Sequence, residues 1–181
     1  MTRGFRGIGV DDIATAAGVS HGTYYNYFTN KRDILDAVID HCFTQLRLRV
    51  LGPEGDDPPE SLDAFCARYG RVIDRLYDLV ATEPGLVNFF LLEASAIDDR
   101  VLQRCMHNAR GYGEQSVDMI RHGIAAGYLD LDLDPHIAGE VLLSVLVSAL
   151  LSALRAGADG LTQDRVRDQS IGFLRTALAP G

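Results

Sequence analysis

Four side chains within one short stretch, His21, Thr23, Asn26 and Tyr27, carry short or planar hydrogen-bonding groups. At helical spacing they share one side, with Tyr25 at its margin. Tyr24 and Phe28, four apart, fall on the opposite side and read as its buried anchor. Groups of this kind suit base edges and phosphate oxygens. Catalytic alternatives are thin. Glu93, Asp98, Asp99 and Glu114 are possible acid/base groups, but no nucleophile motif, phosphate loop or metal spacing accompanies them. Carboxylates at helix ends are more often caps. Cys42, Cys66 and Cys105 form no C-x-x-C and read as reduced, mostly buried thiols. The five histidines, His21, His41, His107, His122 and His136, show no H-x-x-x-H pair, so no metal and no cofactor is expected.

The elements that must position the polar face lie in Val10 to Lys31, VDDIATAAGVSHGTYYNYFTNK. Ile13, Ala14 and Ala17 lie on one face of a first helix. Gly18 breaks it, because glycine takes the left-handed conformation without a Cβ penalty. Val19 is expected to plug the corner, and Ser20 is a good N-cap for a second helix. The pattern is a helix-turn-helix whose second helix is built to enter a major groove.

AGVSHGTYYNYFTNKRDIL resembles the DNA-binding motif of the TetR family of bacterial transcriptional regulators. The matching positions are Ile13-Ala14, Ala17-Gly18-Val19, Ser20, Gly22-Thr23, Tyr24-Tyr25, Tyr27-Phe28 and Lys31. The match covers about the first quarter of the chain. The resemblance implies DNA contacts from Ser20, His21, Gly22, Thr23, Tyr25, Asn26, Tyr27 and Lys31. Lys31 also stands in the first turn of the next helix, unfavourable for the helix dipole, which suggests a phosphate partner. Two departures stand out. Family members open with a helix before the Gly-Phe that here is Gly4-Phe5, where this sequence has only Met1 to Arg3. Ile34, Leu35, Val38 and Ile39 are therefore expected to lose a cover, through a start codon placed too late or a trimmed chain. Gly9 stands where the family has a Ser or Thr cap; glycine caps at a small cost.

With 181 residues the chain is able to bury a substantial core. Its net charge of −8 is unevenly spread. Residues 1–51 hold six Arg/Lys and five Asp/Glu, whereas the remainder holds eleven against twenty. The acidity belongs to the larger part, and phosphate affinity per subunit should be moderate. The longest apolar run, Val141 to Leu154, is interrupted by Ser144, Ser148 and Ser152 and reads as too short for a bilayer, so no membrane partner is expected. Met1 runs into the motif with no secretory leader, and the expected compartment is the cytoplasm.

The predicted fold is all-α, with roughly eight helices in two domains: a helix-turn-helix DNA-binding domain over 1–51 and a larger helical domain over 52–181 for ligand binding and dimerisation. Asn30 caps a long amphipathic helix from Lys31 to about Leu51. Gly52 to Pro59, GPEGDDPP, is the linker. Helices follow from near Ser61 to Thr82, Leu86 to Ala96, Asp98 to Ala126, Pro135 to about Ala156 and Leu161 to Leu178, with Thr162 capping the last. LDLDLD at Leu129 to Asp134 alternates like a strand but has no partner and reads as an extended loop.

Val141 to Leu154 is apolar nearly all round, with serines every four residues that permit close helix approach. With the final helix it forms a face, about 135–178, that would pair with its copy into a four-helix bundle, as TetR-like proteins do. The middle helices are expected to surround a pocket for an unknown small apolar or aromatic effector. Candidate lining residues are Phe65, Tyr69, Phe89, Phe90, Met106, Tyr112 and Met119, with Arg110 and His122 as polar groups. The resulting expectation is a homodimeric repressor that binds a palindromic double-stranded operator and is released by that ligand. The alternatives are a DNA-binding regulator without a ligand and, far behind it, an all-helical enzyme.

Overall fold

The computed structural model of the chain describes residues 5–52, 57–89, 97–155 and 162–181, without the side chains at 6, 105, 106 and 108–113. Among them every regular element is helical, as the apolar spacing predicts. After a 3-10 turn, Phe5–Gly7, come α1 (Val10–Ala16), α2 (His21–Tyr27) and α3 (Lys31–Leu46), which continues into a π-helical turn, Arg47–Leu51. Local side chains start each helix. The Gly9 N–H donates to Asp12 Oδ2 at 2.7 Å, so the carboxylate half of a capping box is made although Gly9 has no hydroxyl to accept from the first turn. Ser20 Oγ accepts from the Thr23 N–H at 3.0 Å. Asn30 Oδ1 accepts from the N–H groups of Arg32 and Asp33 at 2.8 and 3.1 Å. Gly18 has φ +68°, the left-handed turn expected between α1 and α2. The corner itself differs from expectation. Val19 is 41% exposed and Ala17 is exposed, leaving Ala14 as the buried contact of α1. Alanine's small side chain lets the two short helices approach without a plug.

The larger body consists of α4 (Leu62–Thr82), α5 (Pro84–Asn88), α6 (Asp99–Ala125), α7 (Pro135–Leu154) and α8 (Gln163–Leu178). Ser61, Asp98, Asp134 and Thr162 cap α4, α6, α7 and α8 through side-chain oxygens. α4 packs on α7 and α8, and α6 packs on α7. Phe65, Ile73 and Leu79 of α4 meet Ile120, Leu129, Leu142 and Leu174 in one core. Two glycines permit close approach. A Cβ at Gly70 would lie 2.7 Å from Ile171 Cδ1, and one at Gly123 would lie 2.5 Å from Leu129 Cδ1. Leu129 to Asp134 is a loop, as expected, with Leu129 buried and the Asp130 N–H donating to the Leu178 carbonyl at 3.0 Å.

A second apolar cluster joins α3 to the start of α6. Leu35, Ile39 and Phe43 pack with Ile97 and Val101, flanked by Phe5 and Phe89. This corrects the expectation that Leu35 and Ile39 would lie uncovered: the start of α6 and the Phe5 ring cover them. Val38 does remain 40% exposed. A further correction concerns α7. Its apolar stretch begins at Pro135, and its 20 residues would suffice, by length and composition alone, to cross a membrane. Here α7 forms a wall of the body, burying Ala138, Leu142, Ala149, Leu150 and Ala153. Cys42 and Cys66 are buried and unbridged; the Cys105 side chain lies outside the described residues.

Candidate functional site

The buried side of α2 holds the helix in place. Tyr24 is buried, its hydroxyl donates to the Asn30 carbonyl at 3.0 Å, and its ring centroid lies 5.6 Å from that of Phe28. Burial, chiefly, pushes the Tyr24 hydroxyl pKa up, so it stays a donor. With that side fixed, the opposite side must face outward. His21, Tyr25, Asn26 and Tyr27 are all exposed, Tyr27 to 78%. His21 is steadied on two sides: its Nε2 lies 3.1 Å from Asp11 Oδ1, and its ring meets Tyr25 edge-on at 4.8 Å. Thr23 is half-buried, with its hydroxyl 2.8 Å from Ser20 Oγ, so both groups are shared with the cap. Gly22 is exposed and leaves the first turn of α2 open to close approach.

Lys31 has a different partner from the one its position suggests. Its Nζ donates to the carbonyls of Phe5 and Ile8 at 2.6 and 2.7 Å and sits 4.3 Å from the Phe5 ring centroid. Backbone carbonyls and an aromatic face compensate this cation against the helix dipole. Lys31 therefore ties the N-terminal segment to α3. The next residue is likewise engaged within the protein. Arg32 pairs with Asp98, the cap of α6, and its Nε lies 3.3 Å from Asp36 Oδ1. Arg104 Nε donates to Asp40 Oδ1 at 2.9 Å, and Arg100 Nη2 lies 3.7 Å from Asp36. The hydrogen bond from Arg32, together with the Val101 N–H, holds the Asp98 carboxyl below the usual carboxylate range. These pairs fasten the first half of α3 to the first turns of α6.

Further along, α3 and its π-turn line a partly open cavity of about 220 Å³ together with α4, α6 and α7. Of the candidate lining residues, Phe65, Tyr69 and Met119 are there. Phe89 is not; it packs beside the Leu35–Ile39–Phe43 cluster. His122 is not either; its ring faces that of Tyr128, with centroids 6.2 Å apart. Phe90 and the side chains of Met106, Arg110 and Tyr112 lie outside the described residues. The residues missed are Phe43, Leu46, Val50 and Leu51 from the α3 end, Arg68, Val72 and Leu76 of α4, Gln115 and Ser116 of α6, and Leu143, Leu146, Val147 and Leu150 of α7. The apolar stripe of α3 running on to Leu51 was the available signal. Tyr69 crosses the cavity wall and donates its hydroxyl to the Leu142 carbonyl; burial raises its pKa strongly.

Asp98 caps and latches α6, while Asp99 and Glu114 are exposed to solvent; Glu93 lies outside the described residues. No cluster of His, Cys, Asp or Glu that would hold a metal occurs among the described residues. Large apolar side chains on α7 and α8 are left open among the described residues. Ile137, Val141, Val147 and Leu151 of α7 and Phe173 of α8 are exposed, Ile137 to 65%. Ser144 and Ser152 donate their hydroxyls back to the carbonyls of Glu140 and Ser148, both at 2.9 Å. Two of the ridge's serine hydroxyls are thereby turned back onto their own helix.

Comparison with known proteins agrees with this geometry. Residues 1–38 match the family described as bacterial regulatory proteins, tetR family. The HTH-type transcriptional repressor DhaR of Mycobacterium sp. (strain GP1) is 23% identical over 151 residues, 83% of this chain and 74% of that protein. The fatty acid metabolism regulator protein of Bacillus subtilis (strain 168) is 27% identical over 137 residues, 76% of this chain and 68% of that protein. Among solved structures, the transcriptional regulator FadR from Bacillus subtilis in complex with stearoyl-CoA superposes with a TM-score of 0.73 at 20% identity, over 96% of this chain and 90% of that one. AibR in complex with isovaleryl coenzyme A and operator DNA gives 0.66 at 19% identity, over 94% and 89%. At those identities the likeness is one of fold.

Proposed function

We propose that this chain, whose residues 1–38 match the tetR family of bacterial regulatory proteins, is a homodimeric repressor. It holds a palindromic operator with α2 of each subunit and releases it when a small, mainly apolar ligand fills the cavity. The observation that carries this reading is the path of α3. Its first turn is tied to the helix-turn-helix through Asn30 and Lys31, and its far end supplies Phe43, Leu46 and Val50 to the cavity. From Lys31 to Val50 that is about 28 Å of helix at 1.5 Å per residue. A change of tilt at the cavity end therefore displaces the reading helix. A ligand lowers DNA affinity by the difference in its binding to the two tilts, and by no more.

The face formed by Ile137, Val141, Leu151 and Phe173 supports pairing with a second copy, which would set two reading helices one DNA turn apart, roughly 34–36 Å. The acyl-CoA complexes of FadR and AibR support a ligand with an apolar body. The division at residues 51 and 52, with Gly52 at φ +72°, separates the reading domain from the body that senses and pairs. The site of action is the cytoplasm, where the operator would lie.

Selection of bound sequences from random DNA, followed by gel shift on the enriched site, tests the reading. The expected result is a two-fold symmetric site bound by a dimer. Recovery of no enriched sequence, or of an asymmetric one bound by a single subunit, would overturn it.

A further inference from the structure

The cavity is lopsided in charge. Its walls are apolar from Phe65 to Leu76 along α4, about 16 Å at 1.5 Å per residue, and from Leu143 to Leu150 along α7. One charged side chain is found among the described residues that line it, Arg68, near the Phe65 end. Gln115 and Ser116 of α6 add neutral hydrogen-bonding groups. Elsewhere arginines of this protein hold carboxylates: Arg32 holds Asp98, Arg104 holds Asp40, Arg167 holds Asp74 and Arg175 holds Asp63. Arg68 is different. Its contact among the described residues is a single hydrogen bond, Nη1 to the Asp57 carbonyl at 3.1 Å, which leaves most of its five donors unused. Arg68 is half-buried as a residue, and its planar fork at the edge of an apolar cavity has donors to spare for a carboxylate or phosphate.

We propose that the ligand is an amphipathic anion: an unbranched apolar chain laid along α4 toward Leu76, with an oxyanion seated on Arg68 and steadied by Gln115 and Ser116. This rests on the reading of the cavity as the effector site and adds the ligand's class and direction. The oxyanion is either the end of a free alkyl carboxylate or a phosphate of a coenzyme A thioester.

Calorimetric titration of the full-length protein with dodecanoate, dodecanoyl-CoA and 1-dodecanol separates these statements. At least one of the two anions is expected to bind tenfold or more tightly than the alcohol, as charge-assisted hydrogen bonds require. The tighter anion identifies which oxyanion is held. Arg68→Met should remove the preference, and Arg68→Lys should retain part of it; a thermal melt of each variant confirms folding. Equal binding of all three ligands, or a preference that survives in folded Arg68→Met, would overturn the role of Arg68 and leave the cavity reading standing. No binding of any probe would sink the cavity reading and this inference with it.

Discussion

Arg32 and Asp98 stand 66 residues apart in the chain, yet the guanidinium of one grips the carboxylate of the other. The same carboxylate accepts from the Val101 N–H at 2.9 Å, so one group caps α6 and fastens it to α3. Asp98→Asn keeps a capping acceptor and gives up the charge. Faster amide exchange in the first turns of α3, with little change around Val101, is expected from native-state hydrogen exchange. Equal protection in variant and parent would show that the pair carries no load.

The latch should also respond to acid. The folded-state pKa of Asp98 is depressed, chiefly by Arg32. Its stabilising contribution is therefore fully present above the ordinary carboxylate value of about 3.9 and is lost as pH falls below that through the lower folded value. Thermal melts from pH 6 to pH 2 should show a loss of Tm below about pH 4 that is smaller in Asp98→Asn than in the parent.

Lys31→Met distinguishes a structural cation from a phosphate contact. With Nζ bound to the carbonyls of Phe5 and Ile8, the substitution should lower Tm and leave the salt dependence of operator binding unchanged. A phosphate contact would instead lower the slope of log K against log salt by about 0.9 per subunit.

Tyr27 and Asn26 are exposed and pack on little, so their removal should cost DNA binding and not folding. Asn26→Ala is expected to lose about 1–3 kcal/mol of discrimination at one base position, with Tm within a degree of the parent. Binding to a panel of single-base operator variants measures this. Uniform loss across all variants would assign Asn26 to the backbone instead.

Gly123→Ala should destabilise the body. Its Cβ would lie 2.5 Å from Leu129 Cδ1 and 2.8 Å from Tyr128 Cε2, both in the packed turn after α6. Overpacking of this kind costs about 1–3 kcal/mol, and denaturant titration reads it directly.

What was legible in the sequence was what is local. Ser20, Asn30, Asp98, Asp134 and Thr162 each cap through a backbone N–H two or three residues on, so the signal and its partner lie in one short window. Gly18 and the Tyr24–Phe28 pair were legible for the same reason. The carbonyl partners of Lys31 lie 23 and 26 residues upstream, beyond the reach of any local pattern. Phe89 and His122 were misplaced because helical spacing gives a face but not the neighbour across from it. Arg68 was passed over: nothing in its own helix marks it, and only the meeting of four helices turns it toward the cavity.

The uncovered side of α7 has a consequence for the protein's economy in the cell. On the proposed pairing, a lone subunit would carry Ile137, Val141 and Leu151 in water and gain stability on meeting a second copy, so its melting temperature should rise with protein concentration. Scarcity would then silence the regulator twice, by thinning the population and by leaving each lone copy fragile.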